Sequence, residues 1–181
     1  MLLDTPKGNF GWNADDFALQ DAHGTQVSRD DAMGANGLVV AFICNHCPYV
    51  KAIADRLADD AKALQADGIG LVAINSNDPK IVPDDAPPNM IRFAEQHGFA
   101  FPYLIDADQK VAEAYGAVCT PDFFGFNRAG ELQYRGRLDS AGMNDPADRD
   151  LELVNAMRMI AASGQGPAEQ HPSIGCSIKW S

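Results

Sequence analysis

The sequence contains no apolar run that approaches the ~20 residues needed to span a bilayer. Its first eight residues, Met1–Gly8, contain neither the basic segment nor the long apolar segment of a secretory signal. Positive charge is scarce, since 14 Lys and Arg stand against 25 Asp and Glu and give a formal net charge of −11. Such an acidic chain repels nucleic-acid phosphates and anionic lipid. We therefore expect no nucleic-acid partner, no membrane partner and a cytoplasmic location.

Cysteine is also scarce, with four residues in a chain of 181. This number is too small for the disulfide-rich scaffolds that small secreted domains use in place of a large core. A chain of this length buries roughly 70% of its unfolded surface without such bridges. No internal repeat or low-complexity segment divides it. The sequence therefore predicts a single domain over residues 1–181.

The hydrophobic pattern predicts an α/β fold, a central mixed sheet flanked by helices. Apolar runs predict strands at 38–44, 69–75 and 101–105. Helical spacing predicts a helix that starts after Pro48 and ends at Gly68, and further helices over 89–97, 109–115 and 147–162. Turn signals predict an N-terminal β-hairpin extension at about 15–30 and a second hairpin around 127–130. The tail, 164–181, has no helical period, and we expect it to lie across the body.

Cys44 and Cys47 form the strongest chemical signal, as Cys-Asn-His-Cys at the junction of a predicted strand and a predicted helix. The N-terminus of a helix offers free N–H groups and a positive dipole end, which stabilise a thiolate. Such a setting lowers a cysteine pKa from ~8.5 to roughly 3.5–7.5. His46 adds a cation when protonated, and Pro48 fits the first helical turn. We expect Cys44 to be the attacking thiolate and Cys47 the buried resolving thiol.

Two other interpretations of the cysteines remain open. Cys44 and Cys47 can be an inert, half-buried pair. Structural zinc requires four ligands, usually as two close pairs, and here one pair is accompanied by the isolated Cys119 and Cys176. We expect no metal and no cofactor. The alternative from a different functional class is a non-catalytic, cysteine-based metal-binding or redox-sensing module.

A second signal lies further along the chain, where Thr120 and Pro121 precede the apolar segment 123–126. Bonds before proline are the ones that adopt the cis form readily. A proline directly before a strand marks a special turn or the edge of a sheet. Alone this signal is weak, but it gains weight from the Cys-x-x-Cys motif earlier in the chain.

With these motifs the sequence resembles the thioredoxin fold, and within it the peroxiredoxin-like alkyl hydroperoxide reductase/thiol-specific antioxidant family of redoxins. The resemblance runs from about residue 15 to residue 180. The motifs that carry it stand in order along the chain as Cys44-Asn-His-Cys-Pro-Tyr-Val, Ile74-Asn-Ser-Asn-Asp, Cys119-Thr-Pro-Asp-Phe and Gly175-Cys-Ser-Ile-Lys-Trp.

The resemblance implies a thioredoxin-like fold and a redox-active, antioxidant thiol–disulfide oxidoreductase. In that family pattern Cys44 is the nucleophile, Cys47 is the resolving thiol, and Pro121 is a cis-proline that faces them. The Thr120 backbone would then pair with an extended substrate chain, as an added β-strand. The buried carboxylate that thioredoxins carry six residues before the first cysteine is missing, because Leu38 occupies that position.

The sequence departs from peroxiredoxins at the groups that bind peroxide. If Cys47 is aligned with the peroxidatic cysteine of their Pro-x-x-x-Thr-x-x-Cys motif, Val40 replaces the proline and Cys44 replaces the threonine, while Pro121 stands where their arginine is expected. Without these groups the peroxide O–O bond receives little stabilisation in the transition state. Disulfide exchange needs only a thiolate, a leaving thiol and an open cleft. We therefore expect exchange, with thiol-dependent reduction of hydroperoxides as the alternative.

The expected partners follow from this chemistry. They are a protein or small-molecule disulfide, or a peroxide in the alternative, together with a thiol that donates electrons. Exposed edge strands in this fold often pair, so the sequence allows a homodimer and leaves the oligomeric state open. Cys119 and Cys176 are candidates for a second redox pair, or else each is a small buried hydrophobic residue, as free cysteines commonly are.

Asn75, Asn77 and Asp78 follow a predicted strand, at the end where open α/β sheets bind ligands. These side chains either line the cleft or cap the following turn through local hydrogen bonds. Asp84 and Asp85 could join Asp78 in a loose calcium site, although the spacing of an EF-hand is absent.

Overall fold

The protein, described for residues 1–181 by a computed structural model, is organised around a seven-stranded mixed sheet. From one side to the other the strands are β3 (Gln26–Ser28), β2 (Ala18–Asp21), β6 (Tyr103–Ile105), β5 (Ile69–Asn75), β4 (Gly37–Phe42), β8 (Asp122–Phe126) and β9 (Leu132–Gly136). β4, β5 and β6 are parallel, and the other neighbouring pairs are antiparallel. The predicted mixed sheet and both predicted hairpins are confirmed.

Both faces of this sheet are buried, because alternate residues of β4 point into two different hydrophobic clusters. Val39 and Ala41 belong to the cluster formed with α2 (Pro48–Ala66), α3 (Pro87–His97) and α5 (Glu152–Ser163). Val40 and Phe42 belong to the cluster formed with α4 (Lys110–Tyr115). A four-residue helix, α1 (Arg29–Ala32), follows β3. None of the helices has the length and apolar character needed to cross a membrane.

The start of α5 differs from the sequence-based expectation, which placed it at 147. The helix begins at Glu152 because side-chain bonds hold the preceding segment in another conformation. Both terminal nitrogens of Arg149 bind Asp60, each at 2.7 Å, and one of them also lies 3.1 Å from Asp139. The Asp150 N–H donates to Ser140 Oγ at 2.8 Å.

A second, smaller sheet forms beside the first. It consists of β1 (Leu2–Asp4), β10 (Ile174–Ser177) and β7 (Cys119–Thr120), in that order and all antiparallel. The tail was expected to lie across the body, and within it β10 provides the central strand of this sheet. Cys176 stands opposite Leu2 on one side and opposite Thr120 on the other.

Candidate active site

The two cysteines of the Cys-x-x-Cys motif lie at the junction between β4 and α2. Cys47 is the N-cap residue of α2, and Pro48 occupies the first helical turn, as expected. Cys44 lies in the short segment after β4, which ends at Phe42. Neither cysteine is exposed, at 0% each. The expected contrast between an attacking Cys44 and a buried Cys47 is therefore not found in the burial of the two side chains.

Thr120 contacts both cysteines from the opposite side of the site. Its Oγ1 lies 3.1 Å from Cys44 Sγ. Its carbonyl oxygen lies 3.3 Å from Cys47 Sγ and accepts a hydrogen bond from that thiol when it is protonated. The bond between Thr120 and Pro121 is cis, as the resemblance implied. The structure thus brings the two separate sequence motifs into one site.

The two sulfurs share their protons as a coupled pair. A hydrogen bond with Cys44 lowers the pKa of Cys47 to about 4, against the opposing effect of burial and with help from the thiol and amide of Cys176. The same bond with Cys47, together with burial and the charge of Asp85, raises the pKa of Cys44. Cys47 also lies closest to the positive end of α2. The coupled titration and the position of Cys47 at the start of α2 therefore favour Cys47 as the thiolate, where the expectation from the sequence was Cys44.

A fully buried carboxylate, Asp85, lies beside the cysteines. Its Oδ1 accepts hydrogen bonds from the Asn45 N–H at 2.7 Å and from Asn75 Nδ2 at 3.2 Å. Its Oδ2 accepts from Asn77 Nδ2 at 2.9 Å and contacts His46 Nδ1 at 2.7 Å. Burial raises the pKa of Asp85, but the bonds from His46, the Asn45 amide and Asn77 outweigh it, so the pKa is lowered overall. The carboxylate is therefore ionised at neutral pH.

The position of His46 differs from the expectation that it would stabilise a thiolate directly. Its Nδ1 binds Asp85, and Cys44 Sγ, a ring nitrogen of His46 and a carboxylate oxygen of Asp85 lie within 4.8 Å of one another. Its side chain is 21% exposed. His46 thus lies beside Cys44 and Asp85, and Cys44 is the thiol whose pKa is raised.

Cys44, His46 and Asp85 are also the one group of side chains close enough together to share a metal ion. The Asp85 carboxylate already has four hydrogen-bonding partners, which occupy the lone pairs that a metal would need. The remaining cysteines do not join this group, so a four-ligand zinc set is not assembled. The arrangement fits a hydrogen-bond network around a thiol better than it fits a metal centre.

The three polar residues after β5 divide into two roles. Asn75 and Asn77 are buried and hold Asp85, so they support the site from behind and do not line an open cleft. Asp78 caps the following turn, because its Oδ1 accepts from the Lys80 N–H at 2.8 Å. Asn75 also caps this turn, because its Oδ1 accepts from the Asn77 N–H at 3.0 Å. The expected local capping is therefore found for Asn75 and Asp78, whereas the side chain of Asn77 binds Asp85.

The predicted pairing of Cys119 with Cys176 is wrong for this conformation. Cys176 stands opposite Thr120, and Cys119 stands opposite Ser177. Because side chains alternate along a strand, this register places the two cysteines on opposite faces of the small sheet. Cys119 is buried, its Sγ lies 3.9 Å from the Pro121 carbonyl, and burial raises its pKa to about 12. Cys119 thus fits the alternative of a small buried residue.

The expected pairing of a substrate strand with Thr120 also needs correction. In the structure β10 of the same chain already pairs with β7 at Thr120. A substrate strand can take this position only if β10 leaves it.

The low pKa of Cys47 predicts a thiolate that persists well below neutral pH. Titration of the reduced protein, followed by thiolate ultraviolet absorbance, should show a midpoint at pH about 4, in place of the ~8.5 of a free cysteine. Because the folded-state pKa lies below the unfolded one, this ionisation stabilises the reduced protein fully above pH ~8.5, and the stabilisation is lost as the pH falls to about 4. The Cys47→Ser variant should lack the transition, and a wild-type midpoint above neutral pH would contradict the assignment.

Comparisons with known proteins point in the same direction. The model of the AhpC/TSA family matches residues 10–135. The thiol-disulfide oxidoreductase ResA of Halalkalibacterium halodurans is 25% identical over 155 residues, which cover 85% of this chain and 82% of that protein. Peroxiredoxin Bcp of Escherichia coli is 27% identical over 139 residues, 77% of this chain and 84% of that one. The crystal structure of a conserved protein from Geobacillus kaustophilus superposes with a TM-score of 0.93 at 40% identity, and covers 100% of this chain and 97% of that one.

Proposed function

The chain belongs to the AhpC/TSA family, and from this membership and the geometry of its cysteines we propose that it catalyses thiol–disulfide exchange through Cys44 and Cys47. Its fold is thioredoxin-like, and it is an oxidoreductase. The observation that carries the proposal is that both sulfurs lie at the start of α2 and contact Thr120, Cys44 Sγ at 3.1 Å from its Oγ1 and Cys47 Sγ at 3.3 Å from its carbonyl oxygen.

In the proposed reaction the Cys47 thiolate attacks one sulfur of a disulfide substrate. A mixed disulfide forms at Cys47, and the first half of the substrate leaves as a thiolate. Cys44 then gives up its proton and attacks Cys47 Sγ, which forms the Cys44–Cys47 disulfide and releases the second half. The substrate is reduced by two electrons, and the protein dithiol is oxidised by two. A thiol electron donor runs the same steps in reverse and restores the dithiol.

Asp85 and His46 supply the groups that manage the proton of Cys44. This proton has to leave before Cys44 can attack. Hydrogen bonding with Cys47, burial and the negative charge of Asp85 raise the pKa of Cys44 and so oppose its loss. His46 lies within 4.8 Å of Cys44 Sγ and is open to solvent on one side. We propose that His46 receives the proton of Cys44 and passes it to water, with Asp85 as the group that orients the ring.

A cavity of about 280 Å³ beside the cis-proline offers a place for the substrate. Its lining combines apolar side chains such as Tyr49 and Leu138 with polar and charged ones such as Arg137 and Asp139. Such a mixed lining suits a peptide segment, which offers both apolar side chains and hydrogen-bonding groups around its disulfide. We propose a protein disulfide as the substrate class.

The surroundings of the sulfurs argue against fast peroxide reduction. Neither Cys44 nor Cys47 receives a hydrogen bond from an arginine or lysine. The buried Arg135 binds Asp122 at 2.8 Å and the Gly116 carbonyl at 2.9 Å. Peroxidase activity is nevertheless the second candidate, because peroxiredoxin Bcp is among the relatives.

One experiment separates the two candidates. The reduced protein is mixed with stoichiometric hydrogen peroxide or with oxidised glutathione, and thiol loss, intact mass and disulfide positions are followed. We expect peroxide to react no faster than with free cysteine, and the disulfide to react rapidly and end as Cys44–Cys47. Cys119→Ala serves as the matched control with unchanged kinetics. Rapid oxidation by peroxide would favour the peroxidase, and no reaction with either oxidant would contradict both.

A further inference from the structure

A third cysteine, Cys176, contacts the active site from the tail. It stands directly opposite Thr120 in the antiparallel pair of β10 and β7, and Thr120 is the residue whose hydroxyl and carbonyl touch Cys44 and Cys47. Directly opposite residues of a β-pair lie on the same face, so the Cys176 side chain lies on the side of the small sheet from which the Thr120 hydroxyl contacts Cys44. The side chain also packs against the hydrophobic cluster that contains the two site cysteines.

The tail is fixed on both sides of Cys176. Before it, Ser173 Oγ donates to the Pro121 carbonyl at 2.6 Å. After it, the Ile178 N–H donates to the Val118 carbonyl at 3.1 Å. Gly175 allows the close approach of the two strands, since a Cβ at this position would lie 1.8 Å from the Thr120 carbonyl oxygen. The position of Cys176 beside the active site is therefore built into the packing of the tail.

All three cysteines lie around Thr120, since Cys44 and Cys47 contact it and Cys176 stands opposite it. Interactions of Cys47 with the other two thiols raise the pKa of each of them. Cys44 and Cys47 are 0% exposed, whereas Cys176 is partly exposed. Access is one of the factors that set exchange rates, so a donor thiol should reach the partly exposed Cys176 faster than it reaches the buried pair. Cys176 lies where it can connect the buried pair to solvent.

We propose that Cys176 is a third redox cysteine, which exchanges with the Cys44–Cys47 disulfide to form a Cys47–Cys176 disulfide that an external thiol can reach. This inference rests on the proposed exchange function and adds a residue to it. The geometry that carries it is the position of Cys176 opposite Thr120, which contacts both site sulfurs, together with the packing of Cys176 against the cluster that contains them.

The step is an isomerisation with no net change in oxidation state. The Cys176 thiol loses its proton and attacks Cys47 Sγ. The Cys47–Cys176 bond forms, the Cys44–Cys47 bond breaks, and Cys44 leaves as a thiolate that takes up a proton. A donor thiol then attacks Cys176 Sγ, so that Cys47 leaves as its stabilised thiolate. A second donor thiol releases the first from Cys176 as a disulfide, and all three protein cysteines are then reduced.

The test uses oxidised glutathione on two variants of the full chain. In Cys44→Ser the glutathione first joined to Cys47 should be expelled by Cys176, which leaves an intramolecular Cys47–Cys176 disulfide and no bound glutathione. In the double variant Cys44→Ser/Cys176→Ser the mixed disulfide at Cys47 should persist. Intact mass and peptide mapping distinguish the two products. In an otherwise wild-type chain, Cys176→Ser should slow reduction of the oxidised protein by a protein dithiol by about tenfold.

The outcomes separate this inference from the proposed function. Suppose that the wild type forms the Cys44–Cys47 disulfide but Cys44→Ser retains glutathione as the double variant does. The redox role of Cys176 is then overturned, and the proposed exchange function stands. If the wild type forms no Cys44–Cys47 disulfide, both are overturned. Cys119→Ala in the Cys44→Ser background is the matched control, and it should still yield Cys47–Cys176.

Discussion

Replacing Cys47 with serine is expected to abolish thiol–disulfide exchange, with a loss of at least about 10³-fold in turnover. Cys47 is the cysteine whose pKa is lowered, and both Cys44 and Cys176 contribute to lowering it. A serine hydroxyl in its place stays protonated and cannot form a disulfide. The measurement is the rate at which each variant reduces a protein disulfide in the presence of excess dithiol.

Cys44→Ser provides the comparison for this prediction. This variant keeps the Cys47 thiol and should still react once with a disulfide, although it loses the hydrogen bond that lowers the pKa of Cys47 most. A single reaction with Cys44→Ser and none with Cys47→Ser would identify Cys47 as the attacking residue. The reverse result, with a first reaction retained in Cys47→Ser and lost in Cys44→Ser, would restore the assignment of the nucleophile to Cys44.

Replacing Asp85 with alanine should lower the free energy of unfolding by about 3–5 kcal/mol. The carboxylate is fully buried, and its removal leaves the donors of Asn45, Asn75 and Asn77 without their acceptor. Urea unfolding of the reduced proteins, followed by circular dichroism, measures the loss as a shift of the midpoint. The same variant should lower the pKa of Cys44, because the negative charge of Asp85 contributes to holding it high.

Asp84→Ala is the matched control for the stability measurement. Asp84 is the preceding residue, and its side chain is exposed and makes no hydrogen bond, so its replacement should stay within about 0.5 kcal/mol of the wild type. Asp85→Asn separates charge from shape, since it retains one acceptor oxygen while it removes the charge. A stability of Asp85→Ala equal to that of Asp84→Ala would contradict a structural role for the buried carboxylate.

Much of the fold could be predicted because its signals are local. The apolar run of β4, the period of α2 and the turn between β2 and β3 each lie within one short segment, so pattern and turn chemistry were sufficient. Cys44 and Cys47 could be identified in the same way, because four consecutive residues contain the motif. The cis bond at Pro121 was confirmed as well.

The residues that could not be assigned from the sequence depend on long-range contacts. Asp85 follows another aspartate in a polar, proline-rich loop, and only the packing of that loop over Asn45 and Asn75 buries it. The strand β10 is short, and its partner β7 lies far away in the chain. The preference for Cys47 as the thiolate has the same origin, because the groups of Cys176 that help to lower its pKa come from that tail.

The C-terminal tail also blocks strand pairing with another molecule at the sheet edges that it covers. Besides placing β10 between β1 and β7, it covers the outer side of β9, where Gln170 bonds with the backbone of Gln133 and Arg135, each at 2.9 Å. Sheet edges covered in this way cannot pair with a strand of another chain. On the far side of the large sheet the outermost strand is β3, which has three residues. Two copies that associate through strand pairing at the large sheet would have this short strand as their contact.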